Sequence, residues 1–227
     1  MDTLKDVKKQ INSLGIRRCK FDPFVFDTAL NWFIEISNEM LKRKDEKFDY
    51  DNVKDVIDFI INWTYLQTDD INFNKGFLLK GKTGRGKSFP FRIWKYFLKI
   101  DNIRFQYNGN LKFLDPYFIN VKQISGEYQS PLNGGYEIIK KYSNIPALII
   151  DDIGKEQELS RNFGNSINIV EEIISNREEN NMLTFGTTNL DKISDNYDDR
   201  TVSRMNNLFT PIPLNHDIDY RINPNKL

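Results

Sequence analysis

The run Gly81-Lys82-Thr83-Gly84-Arg85-Gly86-Lys87-Ser88 fits G-x-x-x-x-G-K-[ST], the pattern of a loop that wraps phosphate groups. Its glycines let backbone N–H groups curl round the α- and β-phosphates of a nucleotide, and a helix following the loop adds its positive N-terminal end. Lys87 is suited to reach the β- and γ-phosphates, and Ser88 to ligate Mg²⁺. A second signal is LIIDDIG at 148 to 154, an apolar run that delivers two carboxylates at its end. Asp151 is suited to hold Mg²⁺ through water, and Asp152 to orient and polarise an attacking water. An Asp pair after a strand also serves as a turn or helix cap; the P-loop some sixty residues earlier favours the chemical reading.

Two further groups follow in order. In FGTTNL at 185 to 190, Asn189 ends an apolar run among small polar residues, placed either to bond a γ-phosphate or lytic water or simply to make a turn. In DDRTVSRM, Arg200 and Arg204 lie four apart and so share one helix face. A guanidinium there is suited to neutralise charge on the γ-phosphate of a neighbouring subunit, or belongs to a solvated helix.

The elements that must position these groups are legible from periodicity. GFLLK at 76 to 80 reads as a buried strand and KSFPFRIWKYFLKI as a helix, with Pro90 in its first turn where a missing N–H is tolerated. DNIRFQYNGN reads as a polar link, YFINVKQI as a strand running into a short helix, NGGYEIIKKYS as a second short helix, and PALIID as a strand apolar on both faces. NSINIVEEIISNREEN places Ile167, Val170 and Ile174 on one helix face, and MLTFGTTN and LFTPIPLN supply two more strands. This alternation predicts an α/β fold with a parallel five-stranded sheet flanked by helices, binding its ligand at the carboxyl ends of the strands. Upstream, 24 to 41 and VKDVIDFIINWTYL read as two helices, the second capped by Asp51. The expected organisation is a small helical N-terminal region, 1–65, and a P-loop ATPase domain, 66–227.

Lys plus Arg equals Asp plus Glu at 32 each, so no global basic field recruits nucleic acid and any such contact needs a local patch. One cysteine, Cys19, and one histidine, His216, argue against a disulfide or a zinc site and for a reducing cytoplasm. The charged N-terminus has no signal-length apolar run and no stretch of about twenty apolar residues occurs, so no membrane partner is expected.

Taken together, GKTGRGKS, LIIDDIGKE, NREENNMLTFGTTNL and DDRTVSRM resemble the DnaC-type helicase loaders and the related IstB-like transposition ATPases of the AAA+ class, over about residues 70 to 215. The family's run of two Asp, Ile or Leu, Gly, any residue and Glu is matched by Asp151, Asp152, Ile153, Gly154 and Glu156. The resemblance implies that Gly81 to Ser88 and Asp151 bind ATP and Mg²⁺, that Asn189 is sensor I, and that Arg204 is an arginine finger acting on a neighbouring subunit. It also implies roles for Arg200 and Arg177, a helicase loader of DNA replication with a replicative helicase and single-stranded DNA as partners, or else an IstB-like transposition ATPase. Asp152 stands where many AAA+ enzymes have Glu, which favours slow hydrolysis or a nucleotide-switch adaptor. The chain ends soon after the last predicted strand, so no C-terminal lid is expected, and Asp219 replaces the Ser of a Ser-x-Arg element near Arg221.

In position, residues 121 to 145 match helices that in this family face single-stranded DNA, with Lys122, Lys140, Lys141, Tyr128, Tyr136 and Tyr142 as candidate contacts; a solvated helical hairpin is the alternative. The helices of 1–65 either dock on a helicase or pack on the core. The clusters Arg17-Arg18-Lys20 and Lys42-Arg43-Lys44 either touch DNA or are solvated charge.

Overall fold

The computed structural model describes residues 16–18, 25–42, 47–67, 75–132, 134–156, 160–162 and 165–220. Lys20, Arg43, Lys44 and Arg221 therefore lie outside the described residues, as does Cys19. Five strands form one wholly parallel sheet: β2 (Gly76–Lys80), β5 (Tyr117–Asn120), β6 (Ala147–Ile153), β9 (Leu183–Thr188) and β10 (Phe209–Pro213), in the order β10-β2-β9-β6-β5. This is the five-stranded α/β sheet expected from the sequence. Pro211 and Pro213 are accommodated because β10 is an edge strand.

Strand alternation sends apolar side chains to both faces, and each face has its own core. On one side Phe77, Leu79, Ile149, Leu183 and Phe185 meet α1 (Phe26–Leu41), α2 (Lys54–Tyr65) and α3 (Ser88–Ile100). Trp63, Phe77, Trp94 and Phe185 interlock there as edge-on or tilted rings with centroids 4.9 to 5.7 Å apart. Their indole N–H groups are satisfied, Trp63 donating to the Lys75 carbonyl and Trp94 to Thr64. On the other side Leu78, Leu148, Ile150 and Ile153 meet α4 (Val121–Gln129), α5 (Tyr136–Ser143), α6 (Ile169–Glu179) and α7 (Asp199–Leu208). The helices α1 and α2 bury Ala29, Phe33, Ile57 and Ile60 in the same cluster as the strands. No helix among the described residues is long and apolar enough to cross a membrane.

Several local expectations need correction. Asp51 does not cap α2: residues Asp51–Val53 form a 3-10 turn, and Asp49 supplies the carboxylate that receives the Asn52 N–H. Ile167 does not belong to α6, which starts at Ile169 behind the cap Asn168; Asn165–Ile167 is strand β8, paired with β7 (Ser160–Asn162). The polar link at 101 to 110 is largely strand: β3 (Arg104–Tyr107) and β4 (Asn110–Phe113) form a hairpin, with β1 (Ile16–Arg18) antiparallel on its other side. Asn108 and Gly109 both have positive φ, as a two-residue hairpin turn requires.

Arg177, on α6, is fully buried. Its guanidinium donates to the carbonyls of Tyr142, Ile145 and Leu183 at 2.6 to 2.8 Å and to Thr184 at 2.9 Å, tying α5, α6 and β9 together. Burial pushes its pKa down to about 9, still above neutrality, so it remains a cation held by carbonyl dipoles. Arg177→Met should lower the unfolding free energy in urea by roughly 3–5 kcal/mol, because removing one side of a buried charged network strands the other.

Candidate nucleotide site

The P-loop joins β2 to α3, and its residues line a cavity of about 420 Å³ at the carboxyl edge of the sheet. That size lies within the roughly 300–1,000 Å³ usual for small-ligand sites. Thr83, Gly84, Gly86, Lys87, Ser88, Asp152 and Asn189 all line it. Gly84 and Gly86 have φ of 86° and 74°, the left-handed backbone a curled loop needs. No side chain caps the start of α3, which leaves the helix N-terminus facing the cavity as an anion site.

Lys87 is almost wholly buried. Its ammonium donates to the carbonyls of Gly81 at 2.6 Å and Lys82 at 2.8 Å, and to the Asn189 side-chain oxygen. The amide nitrogen of Asn189 is buried with no hydrogen-bond partner. An orphaned donor beside an ammonium, at the mouth of an uncapped helix, is an arrangement that a phosphate oxygen would complete. Arg85 turns the other way, donating to the Leu214 carbonyl at 3.1 Å and pairing with Asp217 at 2.8 Å. The Tyr220 N–H donates to the Gly84 carbonyl at 3.0 Å, and a β carbon at Gly84 would run into the Asp219 carboxylate.

The two carboxylates of β6 owe their placement to a bulge. Ile150 pairs with Gly186 and Ile153 with Thr188, so Asp151 and Asp152 together oppose Thr187 alone, and Asp152 takes φ 65°. Thr187 Oγ1 accepts the Asp152 N–H at 2.8 Å and donates to Asp151 Oδ1 at 2.7 Å; Ser88 donates to the same oxygen at 2.6 Å. Ser88 and Asp151 thus form a compact oxygen set of the kind a hard divalent cation takes. Asp152 faces the cavity, held by Lys155 at 2.8 Å and by the Asn120 amide at 3.2 Å. Burial pushes its pKa up, but Lys155, Asn120 and Lys87 outweigh it, and the net value lies below the usual 3.8.

The sequence reading missed Thr187, Asn120, Lys155, Tyr220, Met40 and Leu41 as neighbours of the site. Lys155 stood beside the Asp pair in DDIGK and was the one legible signal; the others arrive by long-range contact. Glu156 accepts the Gly154 N–H at 2.8 Å and the Tyr197 hydroxyl, linking this strand end to the segment before α7. Arg204 does not line the cavity of its own chain. It donates to Glu179 at 3.0 Å with Glu178 at 3.9 Å, on the outer side of α6.

Among the candidate DNA contacts, Tyr128 and Tyr142 are buried and cannot stack on a base, and Lys141 and Tyr142 both bond Glu127. Tyr136 is 70% exposed, and Lys122 and Lys140 are exposed.

No protein-family model matches the chain, and no curated protein matches it by sequence. Solved structures do share its fold. DnaI superposes with a TM-score of 0.55 at 19% identity, over 76% of this chain and 87% of that one. The DnaC helicase loader gives 0.50 at 20% identity, over 71% and 89%. AMPPCP-bound DnaA from Aquifex aeolicus gives 0.51 at 13% identity, over 77% of this chain and 50% of that one. The chain therefore shares the fold of these three structures.

Thr187→Val keeps the shape of the bulge but removes both hydrogen bonds. It should weaken Mg²⁺-dependent binding of an ATP analogue by about 10- to 100-fold in a Mg²⁺ titration, the usual effect of losing a group that orients a ligand. Because the Asp152 pKa is depressed, whatever stability its ionised form contributes is present above the ordinary aspartate pKa and is lost as pH falls through the lower folded value. A turnover profile between about pH 5 and 8 should therefore carry no limb from Asp152.

Proposed function

We propose that this chain is an ATP-dependent helicase loader of DNA replication, a DnaC-like ATPase that binds ATP and Mg²⁺ and works with a replicative helicase and single-stranded DNA. The observation that carries the ATPase part is the unpartnered Asn189 amide beside Lys87, facing the same cavity edge as the Ser88–Asp151 pair. The loader part rests on the likeness in fold to DnaI and the DnaC helicase loader, which extends over most of both those chains.

In this reading the 81–88 loop cradles the phosphates through its N–H groups, Lys87 releases its carbonyl contacts to take β- and γ-phosphate oxygens, and Asn189 donates its free N–H to the γ-phosphate or the lytic water. Ser88 and Asp151 would hold Mg²⁺, which would supply charge neutralisation on the phosphates. Asp152 orients the attacking water. Lys155 occupies one of its oxygens, and with Asp in place of the longer Glu this reading expects slow turnover. Arg204 serves the site of a neighbouring subunit after leaving Glu179, which makes activity depend on assembly.

We assign 66–227 to the ATPase and partner binding to 1–65, although α1 and α2 also complete the core, so point substitutions test partner binding more cleanly than truncation. The restraint on Asp152 also supports a second reading, an adaptor that switches with the bound nucleotide and barely hydrolyses it.

The purified chain should hydrolyse ATP faster with single-stranded DNA present, Lys87→Ala should abolish turnover, and Arg204→Ala should lower it by about 10³-fold or more when the chains are assembled. ATP binding with no turnover under any condition would put the adaptor reading first. The full chain should capture a hexameric replicative helicase in a pull-down, and failure with every helicase tried would remove the loader reading.

A further inference from the structure

Three cations line the nucleotide cavity, and two are already engaged: Lys87 by the Gly81 and Lys82 carbonyls and Asn189, and Lys155 by Asp152. The third is Arg92, which is exposed. Among the described residues its guanidinium makes no ion pair and no hydrogen bond. It lies 6.0 Å from the centroid of the Phe118 ring, at the outer limit of a cation–π contact, so that contact holds it weakly.

Arg92 follows Ser88 by four residues on α3, so the two share a helix face. Side chains on a helix lean toward its N-terminus, which on α3 is the end that meets the 81–88 loop. The Phe118 contact tells on which side of the cavity the guanidinium stands. Phe118 and Asn120 are two apart on β5 and point to the same face of the sheet, and the Asn120 amide holds Asp152. Arg92 therefore lies toward the β5 edge, whereas the segment that fastens the P-loop leaves the opposite edge, β10. A phosphate chain cradled after β2 and ending between Asn189 and Asp152, at the ends of β9 and β6, runs toward the β5 edge.

We infer that Arg92 binds the γ-phosphate of a nucleotide held in its own chain and so raises the affinity for ATP relative to ADP. The inference rests on the reading of this cavity as an ATP site. ATP and ADP differ by that one phosphoryl group. Lys87 is shared between the β- and γ-phosphates, while a cation placed beyond it is engaged only when the γ-phosphate is present. A guanidinium fork on a phosphate makes two charge-assisted hydrogen bonds. Arg92 acts within one chain and Arg204 between chains, so recognition of ATP precedes assembly and hydrolysis follows it.

The test is displacement of a fluorescent ADP analogue from the full chain by ADP and by a non-hydrolysable ATP analogue, with Mg²⁺, at dilutions where the chain sediments as a monomer. Arg92→Gln should weaken the ATP analogue by about tenfold or more and leave ADP unchanged. Arg92→Lys, which keeps the charge without the fork, should fall between. Lys99→Gln removes another exposed charge further along α3, outside the cavity, and should change neither affinity. All three variants should melt as wild type does without nucleotide, since both side chains are exposed. Loss of the Phe118 contact alone would not distinguish ATP from ADP. An unchanged ratio of the two affinities in Arg92→Gln, an equal loss for both nucleotides, or the same selective loss in Lys99→Gln overturns the inference and leaves the ATP site standing. A wild-type chain that binds neither nucleotide overturns both.

Discussion

One hydroxyl, that of Thr187, holds the site together. In a regular strand consecutive side chains leave opposite faces, so two adjacent aspartates cannot both serve one ligand. The bulge at Asp151 and Asp152 breaks that rule, at the cost of a left-handed backbone at Asp152 that a non-glycine residue adopts for about 1–3 kcal/mol. Thr187 holds the break open by accepting from one residue of the pair and donating to the other. Ser88 is then drawn to Asp151 across the sheet edge, and with it the first turn of α3 and the loop before it. The loop at 81–88 and the carboxylate strand are thus aligned by the protein's own side-chain hydrogen bonds.

The rest of the fold keeps that edge in place. On one face, interlocked rings from α2, α3, β2 and β9 leave little freedom for the strands to slide. Gly186 is part of this fit, because a β carbon there would meet Ile153 and the Ile150 carbonyl beside the bulge. On the other face Arg177 bonds the chain leading into β6 and the start of β9, so the strands that carry Asp151 and Thr187 share an anchor at their far ends. Asn120 performs two tasks at the end of β5: its oxygen caps α4 and its nitrogen holds Asp152.

The parts legible in the sequence were those whose signal is local. The P-loop between β2 and α3, the apolar strand before the Asp pair and the strand before Asn189 each carry their pattern within about ten residues, and their shared sheet edge follows from the parallel topology. Where two local signals competed, the wrong one was taken. The Asn108-Gly109 turn between alternating strands was submerged in a polar composition, and Ile167 fitted a helical period while belonging to a hairpin. Burial defeated the reading of Tyr128 and Tyr142, since aromatic residues near lysines look alike whether they face solvent or core. Thr187 and Tyr220 meet the site through contacts between distant segments, which no window along the chain contains.

The P-loop is fastened to the segment that follows β10: Leu214 donates its N–H to the Lys80 carbonyl, Arg85 pairs with Asp217, and the Tyr220 N–H reaches the Gly84 carbonyl. A phosphate loop standing alone would lose conformational freedom as it closed on its ligand. Here much of that freedom is already gone, and in the proposed reading the Lys87 ammonium exchanges two carbonyls for phosphate oxygens. Calorimetrically, nucleotide capture by such a loop carries a small ordering entropy and a muted enthalpy, because bonds are traded within a preformed cradle instead of being made from solvent.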